Sequence, residues 1–340
     1  MMNTARRFSL CLCALFLLSG CAGPGSEQPQ NASFFAMDTA MEFTVYGKAS
    51  LLEGAQNLVC GLEAEVSVTD PDSALYAVNQ AGRGTLTGSA GDLMGRALAL
   101  CGRTGGALDI SIYPVVRAWG FTTGAYQVPE EDALRELLVH VDHSQVQFDA
   151  ETGAVSIPKG MQLDLGSVTK GYAGSLAAEY LRENGVESAL LSLGGNIQTV
   201  GGKPDGSPWK IGVKDPRGGT PMMVLSVRDQ AVVTSGGYER YFEQDGRTYW
   251  HIMDPSTGYP AESGLISVTV VGADRLVCDG LSTALFVMGL ERAAMFWQES
   301  DDLEAAFVTE EGEIYITAGL ASSFALTEEH ENTSVHMIER

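Results

Sequence analysis

Leu163-Asp-Leu-Gly-Ser-Val-Thr-Lys-Gly-Tyr-Ala173 is an apolar run that passes through a glycine turn into a helix. Met161 to Leu165 has the composition of a short strand. Beyond Gly166, Ala173, Leu176, Ala177 and Leu181 recur at helical spacing, and Gly185 supplies a C-terminal cap. Asp164 and Lys170 flank the turn, so a carboxylate and an ammonium share the space at a helix N-terminus. Free backbone N–H groups and the helix dipole favour anions there. Gly-x-x-x-x-Gly-Lys-Ser/Thr is missing, so the turn is no P-loop and suggests a phosphate site of another kind.

Outward from this turn, helical and β patterns interleave. Upstream, Phe43 to Tyr46 alternates like a strand, and Leu51 to Val68, Asp92 to Arg103 and Glu130 to Val139 have helical spacing. Short β-like runs at 146–148 and 154–157 precede the turn. Downstream, 189–193, 196–200, 209–213, 222–227, 231–234, 249–252 and 265–271 read as strands separated by glycine turns. Helices over 274–288 and 291–299 follow, then strands at 304–308 and 313–317. Strict βαβ repetition is missing, which predicts an α+β (mixed α/β) fold of mixed sheets flanked by helices. The domain is expected over 34–325, with a polar tail over 326–340.

The chain has 340 residues, enough for a full core, and carries 21 Lys plus Arg against 43 Asp plus Glu, a net charge of −22. That balance excludes a nucleic-acid surface, which must be basic. A phosphate handler of this charge needs local positive charge, such as a metal ion. Arg6 and Arg7 precede the apolar run Phe8–Leu18, too short to span a bilayer and laid out like a secretory signal. Leu18-Ser-Gly-Cys21 resembles a bacterial lipobox, which implies a signal peptide over 1–20, lipidation at Cys21 and extracytoplasmic anchoring to a membrane. Residues 21–33, rich in Gly, Pro, Ser, Gln and Asn, read as a tether. Cys60, Cys101 and Cys278 remain, with no zinc-like spacing; Cys60 and Cys101 fall in apolar helical patterns and read as core.

Four segments carry chemistry: Gly105-Gly-Ala-Leu-Asp-Ile-Ser111, read as a glycine-led strand start with an acid; the Asp164–Lys170 turn; His251-Ile-Met-Asp-Pro-Ser-Thr-Gly258; and Cys278-Asp-Gly-Leu-Ser-Thr283-Ala-Leu285. Asp279 and Thr283 share one face of a helix that is apolar nearly all round. A carboxylate there must be paired, strongly hydrogen-bonded or bound to a metal. Carboxylate, hydroxyl and main-chain carbonyl are hard oxygen donors that suit Mg2+. Taken singly, Asp279 and Asp109 also read as capping or hydrogen-bonded acids, His251 as a histidine at a strand end, and Lys170 as a solvated helix residue.

Together the segments resemble the ApbE family of FAD:protein FMN transferases. The resemblance runs in order from Phe34 to Ala318. It covers Met37-Asp-Thr39, Asp70-Pro-Asp-Ser73, Gly106-Ala-Leu-Asp109, Asp164-Leu-Gly-x-x-x-Lys170-Gly-Tyr-Ala and Ser192-Leu-Gly-Gly-Asn196. It continues through Thr234-Ser-Gly-Gly-Tyr-Glu-Arg-Tyr241, His251–Gly258 and Asp279-Gly-Leu-Ser-Thr283. It implies an ApbE-like fold with the FAD site in a cleft between two subdomains, and cleavage of the FAD pyrophosphate with Mg2+. FMN would pass to a Thr hydroxyl of a partner protein, with release of AMP. It further implies metal ligation by Asp279, the Thr283 hydroxyl and the Ser167 carbonyl. FAD contacts are implied at Met37, position 69, Ala107, Leu108, Asp109, Asp164, Lys170, His251 and Ile252.

Catalytic roles are expected for His251, Lys170 and Asp279, with His251 as general base because its unperturbed pKa lies near 6.5. The implied acceptors are flavoprotein subunits of membrane redox complexes of Nqr or Rnf type, or other extracytoplasmic flavoproteins. This chain departs from the family pattern at Thr69, where a Tyr is common, at Ser167 and Thr169 inside the turn, and at Gly237. Two other readings use the same residues: a Mg2+-dependent FAD diphosphatase giving FMN and AMP, and an FAD-binding lipoprotein without chemistry.

Overall fold

A computed structural model describes residues 28–340; the expected signal peptide, Cys21 and residues 21–27 of the expected tether lie outside the described residues. The hairpin β1 (Gln30–Ala36) and β2 (Thr39–Tyr46) leads to α1 (Ser50–Val66) and α2 (Ala74–Ala81). Next come β3 (Arg83–Thr85), α3 (Gly88–Arg103), α4 (Tyr113–Ala118), α5 (Glu131–Leu138), β4 (Gln147–Phe148) and β5 (Ala154–Ser156). α6 (Gly166–Glu183) opens the second half, with β6 (Ser188–Leu193), β7 (Asn196–Val200), β8 (Trp209–Lys214), β9 (Pro221–Val227) and β10 (Ala231–Gly236). A hairpin of β11 (Tyr241–Gln244) and β12 (Arg247–Trp250) precedes β13 (Leu265–Gly272) and α7 (Arg275–Gln298). β14 (Leu303–Thr309), β15 (Ile314–Thr317), β16 (Phe324–Leu326) and β17 (Val335–Ile338) finish the chain.

Nine strands form one sheet in the order β1-β2-β6-β7-β10-β13-β14-β15-β17. All its pairings are antiparallel except β15 with β17. α6 and α7 pack on one face of it, with α1 against α6. On the other face the small sheet β16-β9-β8 closes a second core around Trp209, Met223, Leu225, Val232, Val271 and Val308. This double cover explains why β13 reads as a continuous apolar run, whereas β8, covered on one side, alternates buried and exposed residues. A third cluster, with Val115, Trp119, Phe121, Leu134 and Met253, joins α4 and α5 to the β11–β12 hairpin.

Several expectations shift. β1 starts at Gln30, inside the stretch read as tether, and β17 lies in the stretch read as a polar tail. Both are edge strands, which need backbone pairing more than an apolar face, so composition hides them. Met161–Leu165 forms no strand beyond a single bridge between Ile112 and Gln162. Its backbone is satisfied by other means: Asn79 takes the Leu163 amide (2.7 Å) and donates to the Leu163 carbonyl (2.8 Å), and the Asp164 amide donates to the Ile110 carbonyl (2.8 Å). By contrast, the two helices expected after 274 are present within α7, separated at Gly289, whose φ of 75° leaves helical geometry. Cys101 and Cys278 are buried and Cys60 partly so, all as free thiols.

One turn stores strain. Met37 and Asp38, joining β1 to β2, have φ of 50° and 59°. Two-residue hairpins call for such angles and favour Gly, Asn or Asp, so the unusual residue here is Met37. For other residues the left-handed region costs about 1–2 kcal/mol each.

Candidate functional site

α6 and α7 meet at Gly171, where a Cβ would lie 2.3 Å from the Arg275 carbonyl oxygen and 2.6 Å from Asp279 Cβ. The bare backbone lets the Gly171 amide donate to Asp279 Oδ2 at 2.7 Å. Helix geometry would direct that amide to the Ser167 carbonyl, four residues back. The carboxylate therefore competes with the Ser167 carbonyl for one donor, and both oxygens are drawn to the same place. Asp279 is 4 % exposed, and no cation stands within ion-pair distance of it among the described residues. Burial raises its pKa, opposed by Lys170, the Gly171 amide and Asn196. Asn196 Nδ2 is buried with no hydrogen-bond partner of its own.

Thr283 stands one turn beyond Asp279. Its hydroxyl lies 3.3 Å from Ser235 Oγ, which meets Ser282 Oγ at 2.7 Å. Ser282 in turn donates to the Asp279 carbonyl at 2.7 Å. No three His, Cys, Asp or Glu side chains converge on one point among the described residues. The set is instead one carboxylate, one hydroxyl and one carbonyl. Such donors fit a hard divalent cation that keeps several positions for water and phosphate oxygens.

Lys170 faces Asp164, Asp279, Glu239 and His251. Asp164 Oδ1 accepts the Gly166 amide at 2.8 Å, which turns the chain into α6. Burial raises the Asp164 pKa, and the Gly166 amide, Lys170 and Arg240 oppose it. His251 reaches the Arg240 carbonyl through its amide (3.0 Å) and its Nδ1 (3.2 Å). Burial first, then the charges of Arg240 and Lys170, push its pKa down to about 4. The shift runs downward from the unperturbed value near 6.5.

The other predicted residues divide. The Met37 amide donates to Glu63 Oε1 at 2.6 Å, beside the strained turn. Ala107, Leu108 and Asp109 are buried, but they form a loop between α3 and α4, not the expected strand start. Asp109 spends both oxygens internally: Oδ1 on the Ser111 amide (2.8 Å) and hydroxyl (2.6 Å), Oδ2 on the His143 amide and Nδ1 (both 3.0 Å). Its side chain braces the loop. Ile252 is buried and its carbonyl takes the Ala261 amide at 2.9 Å. Thr69 is exposed, in a turn closed by Ser67. The buried Tyr113, whose hydroxyl reaches the Val68 carbonyl at 3.4 Å and which senses Asp164, is the aromatic ring beside that turn.

Sequence reasoning passed over Glu239 and Arg240. Both fall in the Thr234–Tyr241 motif, yet a charged pair in a loop carries no signal of what it will face. Burial pushes Glu239 up to about 7, with Lys170 opposing and Asp279 adding to the rise. Water still reaches Glu239, so screening moderates that shift. A separate cavity of about 350 Å3 lies along α6, lined by Asp92, Arg96, Tyr172, Glu179, Arg182 and Arg275, and contains none of the site groups.

Residues 37–307 match the sequence profile of the ApbE family. A FAD:protein FMN transferase of Treponema pallidum is 33% identical over 340 aligned residues, covering 92% of this chain and 94% of the relative. One of Klebsiella pneumoniae is 38% identical over 215 residues, covering 62% of this chain and 66% of the relative. The crystal structure of the ApbE protein of Thermotoga maritima superposes with a TM-score of 0.80 at 32% identity, covering 84% of this chain and 96% of that one. The flavin transferase ApbE of Vibrio cholerae gives 0.77 at 27% identity, covering 87% and 99%. With that profile spanning most of its length and a relative 33% identical over 92% of it, this chain belongs to the ApbE family.

Proposed function

We propose that the chain is a Mg2+-dependent FAD:protein FMN transferase, acting on a Thr of an acceptor flavoprotein. The observation that carries this reading is the Asp279–Gly171 contact. It joins α6, which carries Ser167 and starts in the Asp164–Lys170 turn, to α7, which carries Thr283 and a buried Asp279 with no ion-pair partner among the described residues. Mg2+ held by Asp279, Thr283 and Ser167 would supply charge neutralisation and Lewis acidity to the FAD pyrophosphate.

The remaining work belongs to residues of the chain. Lys170 adds positive charge at the phosphates. Met37, Asp164, Ile252 and the Ala107–Asp109 backbone orient FAD. The acceptor Thr Oγ bonds to the FMN phosphorus, the bond to the AMP oxygen breaks, and the Thr proton passes to His251 Nε2. Acceptors of Nqr or Rnf type fit this chemistry, as do other extracytoplasmic flavoproteins. The lipobox-like Leu18–Cys21 supports an anchored, extracytoplasmic location.

Incubation with FAD, Mg2+ and the flavoprotein subunit of such a complex tests the reading. The expected result is AMP in solution and flavin fluorescence on the denatured acceptor; AMP without labelled acceptor would make the protein an FAD diphosphatase. In His251→Ala, transfer should fall about 100-fold or more with FAD binding retained, the usual scale of a general base. Unchanged transfer removes His251 from the mechanism.

The pH profile separates two bases. A histidine with lowered pKa keeps its basic form down to about pH 4. The kcat/KM profile, which reports the free enzyme, should then stay flat as pH falls from about 7 to about 5. An acid limb near 7 would transfer the role to Glu239.

A further inference from the structure

Arg240 ties together three segments that are far apart in sequence. Its Nη2 donates to Asp38 Oδ2 at 2.9 Å and to the Phe121 carbonyl at 3.3 Å. Its carbonyl takes the amide and Nδ1 of His251, extending the β11–β12 ladder by one pair beyond Tyr241 and Trp250. Asp38 belongs to the strained turn, whose other residue, Met37, is held through its amide by Glu63. The turn therefore has one tether to α1 and one to Arg240.

We propose that Arg240 is a positioning residue that latches the Met37–Asp38 turn to the His251 segment and holds His251 as its Nδ1–H tautomer. A carbonyl oxygen only accepts, so the ring nitrogen facing it must carry the proton. Nε2 is then left with its lone pair, which is the form a base needs. The charged groups facing His251 are Arg240 and Lys170, with the Phe121 ring, centroid to centroid 6.3 Å, as its uncharged neighbour. Asp164 faces Arg240 and Lys170 in turn. The Arg240–Asp38 pair is exposed, with 49% and 72% of the two side chains open. Exposed pairs add little to stability. The latch acts on position, and its loss should leave the thermal midpoint nearly unchanged.

The inference rests on His251 being the base of the proposed transferase, but its test does not need turnover. Long-range 1H–15N correlation spectra of the full chain report tautomer and titration of His251, assigned among the 5 histidines with His251→Ala. Wild type should show the Nδ1–H tautomer. Asp38→Asn, which opens the latch but keeps the guanidinium, should give mixed tautomers. Arg240→Gln should do the same and also raise the midpoint, because a nearby cation has gone. Arg240→Lys should restore the midpoint but not the single tautomer, since an ammonium lacks the fork that reaches two partners. AMP release should fall about tenfold or more in Asp38→Asn and Arg240→Gln, the scale of a misplaced group. An Nε2–H tautomer in wild type, or unchanged spectra in both variants, overturns the latch. Absence of AMP from wild type, with the spectra as expected, overturns the transferase reading and leaves the latch standing.

Discussion

Asp279→Ala should abolish AMP release from FAD, with a loss of at least about a thousandfold, the combined scale of a lost metal and lost transition-state charge. Alanine does two things at this position. It removes the only carboxylate among the expected metal donors, and it takes away Oδ2, the acceptor at 2.7 Å that draws the Gly171 amide from the Ser167 carbonyl. Loss of a hydrogen bond to a charged group costs about 1.5–3 kcal/mol of stability. Asp279→Asn separates them, because its carbonyl oxygen still accepts from Gly171 while the charge is gone. The asparagine variant should fold with a near-normal denaturation midpoint, bind Mg2+ poorly and release no AMP. Lys170→Ala supplies the contrast: FAD binding should weaken while Mg2+ still binds, read by flavin fluorescence and by calorimetry with metal alone. An active Asp279→Asn enzyme would refute the metal half of the proposal.

Gly171→Ala should be the most damaging single-methyl addition at the contact of α6 with α7. The new Cβ would stand 2.3 Å from a backbone oxygen and 2.6 Å from the Asp279 Cβ, so no side-chain rotation relieves it and α6 must move off α7. Overpacking of this kind costs about 1–3 kcal/mol, and a backbone obstacle places it at the upper end. Gly174→Ala is the control on the same helix. Its Cβ would meet Gln198 side-chain atoms first, at 2.7 Å, and not backbone, so the loss should be smaller. Urea denaturation midpoints of the two variants decide this. Moving α6 also draws the Ser167 carbonyl away from Asp279, so Gly171→Ala should lose AMP release beyond what its stability explains. Equal midpoints for the two variants would mean that the helices slide apart at little cost.

Much of the frame was readable from residue order. The helical spacing over 51–68 and the buried run over 265–271 match α1 and β13, because an amphipathic stripe and a doubly covered strand both write their burial into composition. Edge strands such as β1 and β17 leave no such mark. The loop at Ala107–Asp109 misleads for the opposite reason: Gly-Gly followed by an apolar pair looks like a strand, yet its acid is consumed by Ser111 and His143. His143 lies 34 residues from Asp109, and that separation carries no periodicity to read.

Within the site, residue type and spacing singled out Asp164, Lys170, Asp279 and Thr283, because a turn and one helical face are local properties, and the family resemblance supplied their expected roles. What only the tertiary structure decided is how they are used. The contact of Gly171 with Asp279 spans 108 residues, and that of Arg240 with Asp38 spans 202. The tuning of His251 depends on burial and on two cations from other elements. Burial, charge proximity and tautomer are set by which distant backbones pack together. The turn between Asp164 and Lys170 is a local feature; the Gly171–Asp279 contact beside it exists only once α7 lies against α6.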